Sequence, residues 1–171
     1  GSTFGVIFFG YNQQANKVKY NNFVFVQRDG WWSARINNRE VFFNYLPDDI
    51  ADINFEDNVQ SRLNKVVEID ITSEINSSFR EDIALSEQYI YDVLSSFNIY
   101  VRNGFTTENK FNRPVITCEN ASLNVPVVYF KEGNETKVYL QNDCIIAESA
   151  SNINFLKIKD KMFYTILGIM K

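Results

Sequence analysis

From residue 17 to residue 47 apolar and polar positions alternate with the period of two expected of strands with one buried face. VKYNNFVFVQR is β-branched and aromatic and reads as one strand. Asp29-Gly30 follows as a two-residue hairpin signal, since a type I′ turn needs φ > 0 at both positions. WWSARI returns, and Asn37-Asn38 makes a second turn of the same kind. REVFFNYL sets Val41, Phe43 and Tyr45 on one face, and Pro47, with no N–H for a ladder, ends it. The pattern predicts a three-stranded antiparallel meander. Trp31 and Trp32 are strand neighbours and face opposite ways, so one enters the core and the other lies outward or under a loop. Residues 48–52 after the proline read as a helical turn with acids at its N-terminal end, and Asp48, Asp49, Asp52, Glu56 and Asp57 gather in and after it. They lack EF-hand spacing and its turn glycine, so they read as solvated acids rather than a calcium site.

A second pattern begins at residue 65. KVVEIDIT puts Val67, Ile69 and Ile71 on one face and Glu68, Asp70 and Thr72 on the other, a strand with one wet or ligand-facing side. The period then becomes helical. Ser78 and Glu81 have the S-x-x-E spacing of a capping box, and Ile83, Ile90, Leu94 and Phe97 form an apolar stripe over residues 78–97. A strand starts directly at IYV, which makes a βαβ unit. Asn103-Gly104 reads as a tight turn. No glycine-rich loop joins the first strand to the helix, so a phosphate-binding site is not expected.

Residues 114–149 hold the densest β pattern. PVITC, VPVVYF, TKVYL and CIIAES read as short strands separated by ENASLN, the hairpin loop KEGNE and QND. An antiparallel run of three or four strands is expected. A final helix over residues 154–170 carries Leu156, Phe163, Leu167 and Met170 on one side, with Lys157, Lys159 and Lys161 on the rest of its surface.

Composition narrows the chemistry. The 171 residues are 45% hydrophobic and 22% charged, which suits one globular domain able to bury a core without metals. The net charge is −4 and no Lys/Arg cluster occurs, so nucleic acid is not an expected partner. There is no histidine, which removes Ser-His-Asp and Cys-His catalysis and most zinc sites. No catalytic residue, metal ligand or cofactor site is assigned. If the chain is an enzyme it uses carboxylates, and Glu68, Asp70, Glu81 and Asp82 are the candidates.

Cys118 and Cys144 are the two cysteines. In an oxidising compartment they can pair, closing a loop of roughly 25 residues worth about 3 kcal/mol. In a reducing one they are two buried thiols. Asn76, Asn120 and Asn134 begin glycosylation-type sequons, each at a predicted loop or turn. Gly1-Ser2 reads as an expression remnant. Two readings of residues 3–16 stand side by side. TFGVIFFGY is either the outer end of an N-terminal membrane anchor or a first strand.

Two resemblances follow. VPVVYFKEGNETKVY with its terminal helix resembles the second half of a thioredoxin-like domain. The chain has no C-x-x-C near a helix start, so redox activity does not carry over. RPVITCENAS, VPVVYFKEGNETKVYLQNDCIIAES and the terminal FYTILGIM resemble small uncharacterised proteins of DPANN-type archaea, from about residue 19 onward. That resemblance implies an N-terminal membrane helix, an external α+β domain and a paired Cys118–Cys144, with no known activity.

The sequence therefore predicts one α+β domain over residues 17–171: an N-terminal meander, one βαβ unit, antiparallel disulfide-bearing strands and a closing helix. The expected role is binding or interaction with a protein or cell-surface partner, outside the cytoplasm and tethered to a membrane. The alternatives are an extracytoplasmic carboxylate enzyme, or a structural subunit of a surface layer or filament.

Overall fold

A computed structural model describes residues 16–170 and divides the chain into two compact units, Gly1–Asp49 and Ile50–Lys171. The expectation for residues 3–11 lies outside the described residues.

The first unit is an antiparallel sheet in the order β1 (Lys17–Tyr20), β2 (Phe23–Arg28), β3 (Trp31–Ile36), β4 (Arg39–Phe43). It has four strands rather than three because Asn21 takes a left-handed φ of 53° and turns the chain inside the predicted first strand. Asn37 and Asn38 both have positive φ, the type I′ condition. At Asp29-Gly30 only Gly30 does, at 84°, so that turn has the type II pattern instead. Phe25, Ala34, Ile36, Val41 and Phe43 are buried. Trp32 pairs with Phe43 and is half-buried, while Trp31 points outward against Phe42, ring centres 5.5 Å apart.

The second unit is a mixed six-stranded sheet in the order β5-β9-β10-β8-β6-β7. β5 is Asn54–Phe55, β6 Glu68–Ser73, β7 Tyr100–Asn103, β8 Val127–Glu132, β9 Lys137–Gln141 and β10 Cys144–Ser149. The helices are α1 (Asp57–Leu63), α2 (Arg80–Ser96) and α3 (Ile153–Ile166). The βαβ unit is β6-α2-β7, with β6 and β7 parallel neighbours.

Several local expectations are revised. β8 does not form a hairpin with β9. It pairs in parallel with β10, and β9 lies on the far side of β10 in antiparallel register. All six residues of β10 are buried, and a strand covered on both faces belongs inside a sheet. Gly133 permits the crossing, because a Cβ there would run into the Glu148 carboxylate. β6 has no wet face either. Asp70 is 1% exposed and Thr72 is fully buried, its hydroxyl donating to the Ile116 carbonyl at 2.7 Å. Val67 lies before the strand and is exposed. The predicted strand at residues 114–118 is a single bridge, Phe105 with Val115, followed by a 3-10 turn at Cys118–Asn120.

The disulfide Cys118–Cys144 is formed, with Cα atoms 5.2 Å apart. It ties that turn to the start of β10, where Ile116, Val127, Cys144 and Ile146 form a buried cluster.

The predicted capping box on α2 does not form: its N-cap is Phe79, with no side-chain cap, and a long-range contact holds the residues just before it. Here the Glu132 carboxylate, from the end of β8, accepts from the Ser78 amide at 2.6 Å and the Ser77 hydroxyl at 3.1 Å. Ser77 Oγ in turn accepts from the Phe79 amide.

α3 is buried on more sides than a surface stripe allows. Phe155, Ile158, Met162, Phe163 and Tyr164 are buried, and so are Lys159 and Asp160, ion-paired at 2.6 Å. Burial pushes the Lys159 ammonium down, against the pull of Asp160. Lys161 donates to the Ile53 carbonyl at 2.6 Å, so the lysines of α3 do not simply face solvent.

Gly104 is not the tight turn expected. A Cβ there would stand 2.5 Å from the Pro114 carbonyl oxygen and 2.7 Å from Ile116 Cδ1, so glycine lets residues 114–116 cross closely. Gly104→Ala is expected to lower stability by about 1–3 kcal/mol in urea unfolding. A neutral result would show that the crossing segment is free to move. Glu132 is held below its usual 4.5 by its Ser78 and Ser77 hydrogen bonds. These bonds are therefore complete above that value and are lost as pH falls through the lowered one. Melting curves of Glu132→Gln and the parent chain should differ near neutral pH and converge in acid, once Glu132 is protonated.

Candidate functional site

The order β7-β6-β8 contains a reversal of winding. From β6 the chain goes through α2 to β7 on one side, while β8 lies on the other. In open sheets with parallel strands, ligands bind beyond the carboxyl ends of the strands near such a point. A crevice of about 300 Å³ lies beyond the carboxyl ends of the neighbouring pair β6 and β7, lined by Ser73 and Ile75 after β6, by Arg80, Glu81, Ala84 and Glu87 on α2, and by Phe105, Phe111 and Arg113 after β7.

Glu87 is its chemical centre. It sits on the buried face of α2 between Ile83 and Ile90 and is 1% exposed. Arg113 Nη1 lies 3.4 Å from its Oε1. Its Oε2 is buried with no hydrogen-bond partner among the described residues. Burial raises the Glu87 carboxyl from 4.5 to about 7, and Arg113 offsets only part of that.

A loop built on one side chain holds the far wall. Asn109 Oδ1 accepts from the Phe111 and Arg113 amides, and its Nδ2 donates to the Arg113 carbonyl. This sets Phe111 6.0 Å from Phe105 between ring centres. It also lays the Arg113 guanidinium 4.8 Å over the Phe105 ring. The loop is anchored to the sheet by Thr106 N–H donating to the Ser73 carbonyl and Phe105 N–H to that of Pro114. The crevice thus offers an acid that titrates near neutrality, two guanidinium groups and an aromatic wall.

Of the carboxylates expected from sequence, only Glu81 reaches this crevice, and it is exposed. Asp70 is committed to a bidentate pair with Arg102 at 2.9 and 2.7 Å, which raises the Arg102 guanidinium further. Glu68 is half-buried at the start of β6, and Asp82 is half-buried on α2. These four do not converge. The sequence reading missed Glu87, Arg80, Arg113, Phe105 and Phe111. A signal for Glu87 was present: positions 83, 87, 90 and 94 form one helical stripe, and a glutamate stands in it. Asn76, Asn120 and Asn134 are all exposed. Asn120 Oδ1 also accepts from the Thr117 amide at 2.8 Å.

Larger crevices are shallower in chemistry. One of about 580 Å³ runs beside β7, and one of about 510 Å³ lies beside Arg62. Arg62 there is a clamp, donating to the carbonyls of Ser122, Leu123 and Asp143.

The raised Glu87 value has a stability consequence. The folded chain holds this proton more tightly than the unfolded one, so the contribution of Glu87 to stability is fully present below 4.5. It falls as pH rises from 4.5 through about 7. The loss amounts to on the order of 3 kcal/mol. Arg113, Arg80 and Glu81 are the charged groups sharing the crevice. Glu87→Gln should flatten this slope and stabilise the chain at about pH 8, raising its melting temperature by several degrees. Parallel pH profiles for the two proteins would contradict the placement of Glu87.

No family model, curated protein or solved structure matches this chain.

Proposed function

We propose that this chain is the extracytoplasmic binding domain of a membrane-anchored surface protein of the archaeal kind it resembles, and that it binds its ligand in the crevice around Glu87. The observation that carries the binding role is the Glu87 carboxylate, buried in the crevice wall with one oxygen lacking a donor. An unsatisfied buried polar group costs about 1–3 kcal/mol, and a ligand that donates to it offsets that cost. Support for the compartment comes from the formed disulfide, since such bonds persist where thiols are not kept reduced. Among the described residues no helix is long and apolar enough to cross a membrane, so the anchor would belong to other residues.

A second reading, carboxylate catalysis, is favoured by one observation. A carboxyl held at about 7 is suited to general acid–base work near neutral pH. It needs a further reacting group, and Glu81 is the other carboxylate in the crevice wall.

Amide NMR spectra recorded with benzoate, benzamidine, indole and cyclohexylamine as probes test the binding site. Shifts confined to residues around Glu87, Phe105, Phe111 and Arg113 are expected. Shifts scattered over the surface would remove the crevice from the proposal. The compartment is tested on protein drawn from its own cells and alkylated without reductant. Cys118 and Cys144 should escape alkylation, and full labelling of both would overturn the extracytoplasmic assignment.

A further inference from the structure

The crevice has features that together select one ligand chemistry, and the inference rests on its being the binding site proposed above. Its wall carries charges of both signs, Glu87 and Glu81 against Arg80 and Arg113. Glu87 Oε2 is buried and lacks a donor, and the contact of Oε1 with Arg113 is long at 3.4 Å. Apart from Ser73 the rest of the wall is apolar, with Ile75, Ala84, Phe105 and Phe111. At about 300 Å³ the space is at the lower end for ligand cavities, too small for a dinucleotide or an oligosaccharide.

We infer that the crevice is a site for a free α-amino acid with an apolar side chain, held by its ammonium on Glu87 Oε2, its carboxylate beside Arg80 and Arg113, and its side chain against Phe105 and Phe111.

Each simpler ligand leaves something unmatched. A plain carboxylate meets Arg80 and Arg113 but gives no proton to Glu87 Oε2, and it faces two acids. A plain amine satisfies Glu87 but stands beside two guanidinium groups. A neutral hydrocarbon fills the aromatic wall and leaves the buried oxygen as it was, with its desolvation uncompensated. A zwitterion with an apolar group meets all three demands. Its ammonium has three donors, so one can serve Oε2, which a turn of the buried Glu87 side chain must first uncover, while others remain for water or Glu81. Arg80, in the first turn of α2, adds its charge to the positive end of that helix, which favours an anionic group there. Arg113 is backed by the Phe105 ring and held by the Asn109 loop, so it presents its charge with little freedom to lose.

Binding an ammonium requires Glu87 to be ionised. Affinity should therefore rise with pH through the range in which this carboxyl gives up its proton, about 7. The opposite trend would mark a ligand that accepts a hydrogen bond from protonated Glu87.

Isothermal titration of the whole chain with L-phenylalanine and L-leucine tests this, beside 3-phenylpropanoate, which lacks the ammonium, and phenethylamine, which lacks the carboxylate. Saturable binding of an amino acid is expected at about pH 8, with both truncated analogues at least about tenfold weaker. Affinity at about pH 6 should be roughly tenfold lower than at about pH 8. Glu87→Gln should weaken binding about tenfold or more while the protein stays folded. Ala84→Trp, which fills the crevice from the exposed side of α2, should abolish it. The inference is overturned if no amino acid binds at about 10 mM, if either analogue binds as well, or if Glu87→Gln leaves affinity unchanged. If the aromatic probes still shift crevice amides while amino acids do not bind, only this inference falls and the binding site stands.

Discussion

Three mutually parallel strands at the centre of the sheet, β6, β8 and β10, set the terms for the second unit. A parallel pair cannot be closed by a tight turn, so each link between them must leave the sheet and return. The link from β6 is α2, which returns as β7 on the outer side. The link from β8 is β9, which runs to the far side of β10 and hands the chain back through Asn142-Asp143. The stretch between β7 and β8 has to travel from one side of β6 to the other. On the way it crosses Gly104, covers Thr72 and brings Cys118 to Cys144. The crevice exists because these links leave the centre of the sheet in different directions, and the carboxyl ends of β6 and β7 are left to be roofed by a loop.

That roof explains why Glu87 can be so far from its usual state. α2 lays one face on the sheet, and Glu87 occupies a core position of that face. An aliphatic side chain would suit the position without further arrangement. A glutamate there needs a cation, and Arg113 arrives from a loop whose shape depends on Asn109. The match is incomplete, since one oxygen has no donor and the ion pair is long. Its surroundings combine desolvation with a specific charge partner in a crevice, which is the pattern of functional carboxyls.

The local periodicities were legible in the sequence. Alternation found the strands of the meander, KVVEIDIT found β6, and the stripe from Ile83 to Leu94 found α2, so the βαβ unit could be placed. Pairing was less legible. VPVVYF and TKVYL joined by a glycine-containing loop look like a hairpin, yet full burial of CIIAES inserts it between them. The start of α2 was misplaced for a related reason, as Ser78 and Glu81 satisfy the local capping rule while the Ser78 amide is taken by Glu132, 54 residues away. The candidate site was illegible for the same cause in stronger form. Glu87 and Arg113 are 26 residues apart and meet only after the loop has folded over the ends of two strands. Glu68 and Asp70 drew notice because alternation put them on one face. That face is covered, and Asp70 holds Arg102.

The acids of the second unit also divide in a way that isolates Glu87. Asp70 is locked by Arg102, Glu132 holds Ser77 and Ser78 ahead of α2, Glu148 accepts from Tyr139 at 2.6 Å and Glu74 accepts from Tyr129 at 2.8 Å. Both tyrosines are consequently harder to ionise. The Glu148 hydrogen bond raises Tyr139 to about 12, and burial with Glu74 raises Tyr129. Each of these carboxylates has a donor that improves the fold, so changing it removes something structural. Glu87 differs because the fold stabilises its neutral form and leaves an oxygen unused. Stability alone gives no reason to keep a glutamate at that position. A ligand that donates to Oε2 supplies one, because it would favour the ionised carboxylate and so strengthen its attraction to Arg113.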